Sequence, residues 1–185
     1  VVCALVILVA FLYAHIAKAN AVYDRQSDNS TYGIAENTGL MIEQEFICKE
    51  VSMDAIQVKC QVQQAGEGHV TLTLTDMESG KTVASSTKAL SEIENGKWNT
   101  FSFETVENCK GKTYQMILEG ETLTCFAQQG IQPETELSVN GAEQDGTLLM
   151  KTVTKRFDIE TFGVFLILVL YVSFFFRFLK RLFSR

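Results

Sequence analysis

Alternation of apolar and polar residues with a period of two dominates the middle of the chain. Residues 55–62, AIQVKCQV, place Ile56, Val58 and Cys60 on one side, and residues 69–76, HVTLTLTD, alternate valine and leucine with threonine. A period of two predicts half-buried β-strands. Less regular alternation predicts further strands at 41–48, 97–104, 113–119, 122–128 and 146–157, with 82–90 as an edge strand.

Turn sequences containing glycine separate these segments. AGEGH, MESGK, ENGK, CKGK, EGE and NGAEQDG each supply a glycine where the chain must reverse. Strands about ten residues apart, joined by short turns, predict an antiparallel sandwich of two sheets and not a parallel α/β fold. We therefore expect an all-β domain over residues 38–157, preceded by a polar linker at 18–37.

The C-terminal end of the chain is long and apolar. Residues 161–176, TFGVFLILVLYVSFFF, carry no charge, and basic residues follow directly, beginning at Arg177. A helix needs roughly 17 to 25 residues to cross a bilayer, so we expect a transmembrane helix at 159–179. Positive residues beyond a span mark its cytoplasmic side. The tail at 180–185 is therefore expected in the cytoplasm and the domain outside, at the cell membrane.

The N-terminal end is also apolar and allows two interpretations. Residues 1–17 contain no charge other than that of His15. They form either a second transmembrane helix that stays as an anchor, or the apolar part of a signal peptide cleaved near Ala19–Ala21. The retained anchor is favoured because His15 and Lys18 fit poorly into a cleavage region.

Charge is distributed unevenly between the middle and the tail. Residues 18–160 hold all 22 acidic and 12 of the 16 basic residues, a net charge of 12 − 22 = −10. Nucleic-acid binding needs clustered lysine and arginine, so no nucleic-acid partner is expected. The acidic surface also keeps a domain soluble.

A resemblance to a known group of proteins begins at IEQEFIC and continues through GHVTLTLTDMESGKTVASSTKALSEIENGKWNTFSFETVENCKGKTYQMILEG. This order is similar to the extracytoplasmic jelly-roll domains of bacterial membrane proteins linked to cell-surface polysaccharides, which share their plan with carbohydrate-binding and galactose-binding-like sandwiches. It covers about residues 42–130, and its most recognisable parts are ENGKW and KGKTY. The resemblance implies a jelly-roll-like fold outside the cytoplasm, often as part of a larger glycan-handling protein.

Motifs for catalysis, metals and cofactors are missing from the sequence. His69 has no second histidine or Cys-x-x-Cys beside it, and there is no nucleophile elbow, phosphate loop or dinucleotide fingerprint. The many carboxylates include Glu43 and Glu45 on one strand, but we expect that side to be a solvated surface. We therefore expect no enzyme activity, no cofactor and no metal.

Three residues are the candidates for ligand binding. Phe101 and Phe103 share one side of their strand, which leaves Trp98 and Thr100 on the polar side, where an aromatic ring can stack on a sugar. Phe126, out of phase with its apolar neighbours, is the third candidate. Packing in the fold is the favoured explanation of Trp98, because a bulge near the turn would return its side chain to the core.

Four cysteines lie in the predicted domain, which permits three pairings into two disulfides. Cys48, Cys60 and Cys125 are in phase with apolar neighbours, whereas Cys109 lies in a turn. A bridge between Cys48 and Cys60 on neighbouring strands is one prediction, and burial as free thiols is the alternative.

Three functions remain open for this membrane-anchored sandwich. It is a module that binds or senses cell-surface glycans, or an interaction domain that assembles with other membrane proteins, or the C-terminal part of a larger multi-span glycan-processing enzyme. An exposed Trp98 beside a polar groove favours the first. An unpaired edge strand or an apolar patch favours the second.

Overall fold

The computed structural model of the chain describes residues 2–25, 30–35, 39–64, 66–157 and 159–183. It divides into two compact units. One comprises Val1–Lys18 with Lys155–Arg185, and the other comprises Ala19–Thr154.

Strands make up most of the second unit. The described strands are β1 His15–Ala21, β2 Thr31–Ala35, β3 Leu40–Ile47, β4 Ser52–Val62, β5 His69–Asp76, β6 Lys81–Ala89, β7 Lys97–Glu107, β8 Thr113–Gly120, β9 Leu123–Gln128, β10 Glu136–Val139, β11 Ala142–Gln144, β12 Thr147–Leu148 and β13 Met150–Phe157. The helices are α1 Val2–Ala14 and α2 Ile159–Phe183, with a short 3-10 helix at Leu90–Glu92.

Two sheets form the sandwich. Within the described residues, the first sheet has seven strands in the order β1-β13-β4-β9-β12, with β2 paired to β9 and β7 paired to β4. The second has six strands in the order β11-β10-β3-β8-β5-β6. The central pairs of both sheets are antiparallel. The predicted two-sheet antiparallel β-sandwich is therefore confirmed, and it is consistent with a jelly-roll-like fold.

The strong alternation of the sequence corresponds to the buried and outer sides of the strands. On β4, Ile56, Val58 and Cys60 are fully buried, and on β7 Phe101 is buried while Ser102 is exposed. The strands predicted from these patterns are present, and β6 lies at the edge of its sheet as expected. The segment 146–157 forms two strands in place of one, β12 and β13, which are separated at Leu149.

A buried glutamine links the two sheets. Gln44 follows the inward phase of β3 and has no solvent exposure. Its Oε1 accepts a hydrogen bond of 2.8 Å from the N–H of Leu148 on the first sheet, and its Nε2 donates at 2.9 Å to the carbonyl of Glu136 on the second. Buried polar groups need such partners, so the amide is fully engaged between the sheets.

The segment predicted as a linker, 18–37, contains strands among its described residues, while residues 26–29, 36 and 37 lie outside the described part of the chain. It contributes most of β1 and all of β2 to the first sheet. β2 pairs with β9 through its backbone, and only Ile34 among its residues is buried. A five-residue strand with one buried side chain has no readable period, which is why the sequence pattern suggested a linker.

The two helices differ in length. α2 has 25 residues, is apolar enough to cross a membrane, and has no buried residue. It begins where the transmembrane helix was predicted and continues beyond residue 179, so that Lys180 and Arg181 lie in its last turn. α1 has 13 residues and ends where β1 begins at His15. The predicted N-terminal transmembrane helix at 1–17 is therefore not shown, and α2 is the one described helix that is long enough to span a bilayer.

Candidate functional site

The three predicted ligand-binding residues lie on one outer surface of the first sheet. Trp98 and Thr100 are on β7, and Phe126 is on β9. Lys59 of β4 lies between them, because it is the register partner of Trp98 and its Nζ is 5.5 Å from the centroid of the Phe126 ring. The outward phase that the sequence predicted for Trp98 is therefore the phase it has in the sheet.

Other side chains already contact this aromatic surface. The Tyr23 ring stacks on Trp98 with centroids 5.8 Å apart, and the Nζ of Lys151 is 3.7 Å from the Trp98 centroid. Burial, with a smaller contribution from the charge of Arg25, lowers the pKa of Lys151. Thr100 accepts a hydrogen bond of 3.0 Å from Gln57. A sugar that stacked on Trp98 would have to displace one of these neighbours.

A cleft of about 830 Å³ lies beside β2 and the β10–β11 hairpin. We call it the Tyr32 cleft. The lining residues that define its chemistry are Tyr32, Gln129, Ile131, Glu136, Glu143 and Asp145. Its volume is within the range of small-molecule sites, about 300 to 1,000 Å³. Because β2 belongs to the first sheet and β10 and β11 to the second, the cleft brings together both layers of the sandwich.

The wall of the Tyr32 cleft combines an apolar surface with hydrogen-bond acceptors. Ile131 is 59% exposed although it is a large aliphatic residue. The Tyr32 hydroxyl donates to the Asp145 carbonyl at 3.1 Å, and burial together with the Asp145 charge raises the pKa of Tyr32. Glycine is required at position 146, because a Cβ there would collide with the Tyr32 hydroxyl and lie 3.0 Å from the Gln128 carbonyl. Tyr32 is thus held in place from two sides.

The electrostatic environment of the Tyr32 cleft is negative. Glu136, Glu143 and Asp145 line it, and no lysine or arginine is among the described residues of its wall. Glu136 is also directly opposite Glu45 on β3. Burial and then the carboxylates of Glu136 and Glu43 raise the pKa of Glu45. An anionic ligand would be repelled here, whereas hydroxyl or ammonium donors would find acceptors.

The sequence interpretation missed this cleft. Tyr32 fell in the predicted linker, and Gln129 to Asp145 fell in connections. NGAEQDG had been recognised as a turn, and it forms the β10–β11 hairpin with Asn140 and Gly141 at positive φ. The glycine, amide and acidic residues of NGAEQDG, residues 140–146, were the only sequence signal of a polar loop at this place.

The cysteines have partners other than those predicted. Cys60 is directly opposite Cys125 on β9, and backbone hydrogen bonds that join Cys48 to Gly111 and Lys112 bring Cys48 beside the turn that carries Cys109. Cys48 therefore lies beside Cys109, and Cys60 beside Cys125. This arrangement differs from the predicted bridge between Cys48 and Cys60. The neighbouring Cys48 thiol lowers the pKa of Cys109 to about 7, and burial raises the pKa of Cys125.

Metal ligation finds no support in the described residues, where no group of three histidine, cysteine or carboxylate side chains is placed to hold an ion. The TDMESG segment is a hairpin turn, as expected. Asp76 Oδ1 accepts hydrogen bonds from the N–H groups of Glu78 and Ser79, which lower its pKa.

Comparisons with known proteins find distant likenesses only. No protein-family model and no curated protein matches the sequence. Among solved structures, that of the infectious bursal disease virus Gt strain is 11% identical, with 83% of this chain and 46% of that chain covered and a TM-score of 0.21. The VP2 subviral particle of infectious bursal disease virus is 12% identical, with coverages of 75% and 38% and a TM-score of 0.19. This chain thus spans less than half the length of either.

Proposed function

We propose that this protein is a membrane-anchored, extracytoplasmic jelly-roll module that binds cell-surface glycans in the Tyr32 cleft. The observation that carries the proposal is the composition of that cleft, in which an exposed aliphatic residue and a tyrosine lie among amide and carboxylate groups. Sugars present an apolar ring face and several hydroxyl donors, and sites of this kind bind both. In this proposal the module holds its ligand and does not hydrolyse it.

The charge of the cleft narrows the class of glycan. Ionised carboxylates accept hydrogen bonds and cannot donate them, so they suit sugar hydroxyls and the ammonium group of an amino sugar. A uronic acid or a phosphorylated sugar would add repulsion in a site lined by Glu136, Glu143 and Asp145. We therefore propose neutral or amino-sugar glycans as the ligands.

The membrane part of the proposal rests on α2. None of its residues is buried, most of its apolar side chains are exposed, and Arg177, Lys180 and Arg181 are near its C-terminal end. A helix with such a surface gains free energy in lipid, and basic residues at one end favour the cytoplasmic side. The sandwich would then be outside, where it meets surface polysaccharide.

A glycan array tests the ligand class. The full chain in nanodiscs is applied to neutral, amino and anionic glycans, beside Ile131→Ser and a matched control, Val83→Ser, on the edge strand β6. Ile131 is 59% and Val83 37% exposed, so both changes remove an exposed aliphatic group. We expect Ile131→Ser to weaken binding by about tenfold, from the lost apolar contact, and Val83→Ser to bind as wild type.

Two results would count against this function. Silence across neutral and amino glycans removes the glycan proposal. Binding that survives Ile131→Ser but is lost in Trp98→Ala transfers the site to the outer surface of the first sheet.

Catalysis is tested in the same samples, because a bound glycan recovered unchanged supports a binding module, and a shortened one shows an enzyme.

Side-specific proteolysis tests the orientation. A protease is added to intact cells that carry an epitope tag after Arg185. We expect the sandwich to be digested from outside while the tag stays protected. Digestion of the tag with protection of the sandwich would reverse the orientation, and full protection of both would place the sandwich inside.

Assembly with other membrane proteins is the second candidate. β6 is at the edge of the second sheet and has no buried residue, which leaves backbone groups open to another strand. Lys81 and Lys88 on β6 and the register shift beside it, between Leu74 and Thr75, oppose such pairing. A partner that cross-links at β6, together with a silent glycan array, would make this the better function.

A further inference from the structure

The first cysteine pair lies across two neighbouring strands. Cys60 on β4 and Cys125 on β9 are register partners, and both are fully buried. In the same ladder the N–H of Gln63 donates to the Thr122 carbonyl at 2.7 Å, which makes that pair hydrogen-bonded. Pairs alternate along an antiparallel ladder, so Cys60 and Cys125, three positions away (63 − 60 = 3), form a non-hydrogen-bonded pair.

That position has the geometry a disulfide requires. Directly opposite residues at non-hydrogen-bonded positions have Cα atoms about 4.5 Å apart and side chains that approach closely. Disulfides join Cα atoms about 4.4 to 6.8 Å apart. The carbonyl of Cys60 accepts a hydrogen bond of 3.0 Å from the N–H of Gly96, on the side of β4 that faces β7. The backbone carbonyl of Cys60 is thus directed away from β9 and Cys125.

The second pair joins a strand end to a loop. Cys48 follows β3, and Cys109 lies between β7 and β8. Two backbone hydrogen bonds join the two segments: the N–H of Gly111 donates to the Cys48 carbonyl at 2.8 Å, and the N–H of Cys48 donates to the Lys112 carbonyl at 3.0 Å. A third bond, from the N–H of Lys112 to the Cys109 carbonyl at 3.0 Å, closes the turn that carries Cys109. Both residues are buried. Each thiol donates to a backbone carbonyl, Cys48 to Glu50 at 3.4 Å and Cys109 to Val106 at 2.8 Å, and the influence of each thiol on the pKa of the other is consistent with neighbouring sulfurs.

We propose that this chain carries two structural disulfides, Cys48–Cys109 and Cys60–Cys125, and that these are the two bridges of the mature sandwich. The four cysteines of the sandwich are free thiols in this structure. Their arrangement in two separate neighbour pairs selects one of the three pairings that four cysteines allow. The inference does not depend on glycan binding, but it rests on the extracytoplasmic location of the sandwich in the proposed function.

The oxidant is a disulfide of the secretory or extracytoplasmic redox system, either a small-molecule disulfide or the active-site disulfide of an oxidoreductase. The Cys109 thiolate attacks one donor sulfur, which forms a mixed disulfide and releases the first donor thiol. Cys48 then attacks the Cys109 sulfur and releases the second. The two protein thiols lose two electrons and two protons, and the donor gains both. Cys60 and Cys125 react in the same way.

The bridges tie together parts of the chain that are distant in sequence. They close loops of 109 − 48 = 61 and 125 − 60 = 65 positions. Cys60–Cys125 connects two strands inside the first sheet, and Cys48–Cys109 connects the end of β3 in the second sheet to the segment that follows β7 in the first. Because all four sulfurs are buried, the bridges must form before the sandwich closes.

Peptide mapping tests the pairing without any mutation. The full chain is unfolded in denaturant with all thiols reduced, refolded with oxidised and reduced glutathione, and alkylated with N-ethylmaleimide before non-reducing digestion. We expect peptides linked as Cys48–Cys109 and Cys60–Cys125, with Cys3 as the one alkylated cysteine. The same links are expected in chain isolated from cells.

Three outcomes would overturn the proposal. They are alkylation of Cys48 or Cys60 after refolding, a Cys48–Cys60 link, and scrambled links in equal amounts. The paired variants Cys48→Ser/Cys109→Ser and Cys60→Ser/Cys125→Ser each keep one bridge and lose the other. Each paired variant is expected to have a Tm lower than that of wild type by about 10 °C or more. A reducing agent should lower the Tm of wild type by breaking both bridges, and it should lower the Tm of each variant only by breaking the one bridge that remains.

Discussion

Replacement of Gln44 by methionine removes the buried amide that links the two sheets. Methionine has nearly the volume of glutamine and is tolerated in cores, so the change isolates hydrogen bonding from packing. Three groups lose a partner. Two of them are the N–H of Leu148, which loses an acceptor at 2.8 Å, and the carbonyl of Glu136, which loses a donor at 2.9 Å. A third bond, from Gln44 Nε2 to the Glu45 carbonyl at 3.0 Å, is also lost.

The size of the effect follows from what is left unpaired. A buried donor without a partner costs about 1 to 3 kcal/mol, and Leu148 has no exposure. Carbonyls have a second lone pair and lie near the sheet backbone, so each adds less, about 0.5 kcal/mol. We expect Gln44→Met to lower the free energy of unfolding by about 2 to 4 kcal/mol.

Urea unfolding followed by tryptophan fluorescence measures this. Trp98 is the one tryptophan of the chain and lies on β7, so its emission reports the sandwich while α2 stays in detergent. Gln115→Met on β8 is the matched control. Gln115 donates to Glu43 at 2.9 Å from a half-buried position, where water replaces the lost partner, and we expect a change below about 1 kcal/mol.

A small difference in lost stability between these two variants would contradict the role given to the Gln44 amide. If Gln44→Met loses no more stability than Gln115→Met, the amide between the sheets carries no more than a surface hydrogen bond. An unchanged m value is required as well, since a change in m would mean that the unfolded or folded state had altered in compactness.

Two further predictions concern the outer surfaces of the sheets. Glu45→Gln should stabilise the sandwich at pH 7 by at most about 0.5 kcal/mol after screening, because burial and the carboxylates of Glu136 and Glu43 raise the pKa of Glu45. The cost of ionising Glu45 is present above its folded-state pKa and absent below its unfolded-state pKa, so thermal melts near pH 4 should show no gain in Tm. An equal gain at both pH values would contradict the electrostatic cause. Tyr23→Ala should shift the emission of Trp98 to longer wavelength by removing the ring stacked on it, and an unchanged spectrum would show that the stack does not shield the indole.

The period-two strands were predictable because each buries one side. The alternation around Phe101 correctly assigned Trp98 to the outer side of β7, and the alternation around Cys60 assigned that residue to the core. These are local properties of a chain in which the side chains of a strand point alternately to opposite faces. The number of sheets followed from the same pattern and from the turns between strands.

The Tyr32 cleft and the cysteine neighbours were not predictable because both depend on pairings distant in sequence. β2, β10 and β11 have three to five residues each and are held by backbone bonds to other strands. Cys125 is opposite Cys60 only because β9 pairs with the end of β4. The pattern of apolar positions is compatible with several strand pairings and registers. The sequence alone therefore identified the buried cysteines but not which of them lie opposite each other.

Calorimetric titration measures directly whether the Tyr32 cleft binds glycans. The full chain in nanodiscs is titrated with neutral and amino-sugar oligosaccharides, beside Gly146→Ala, whose added Cβ must displace the Tyr32 hydroxyl. We expect saturable binding to wild type and a loss of at least about tenfold in Gly146→Ala, with a cooperative thermal transition retained in both proteins. Equal binding by both proteins, or no binding of any neutral or amino sugar by wild type, would contradict this expectation.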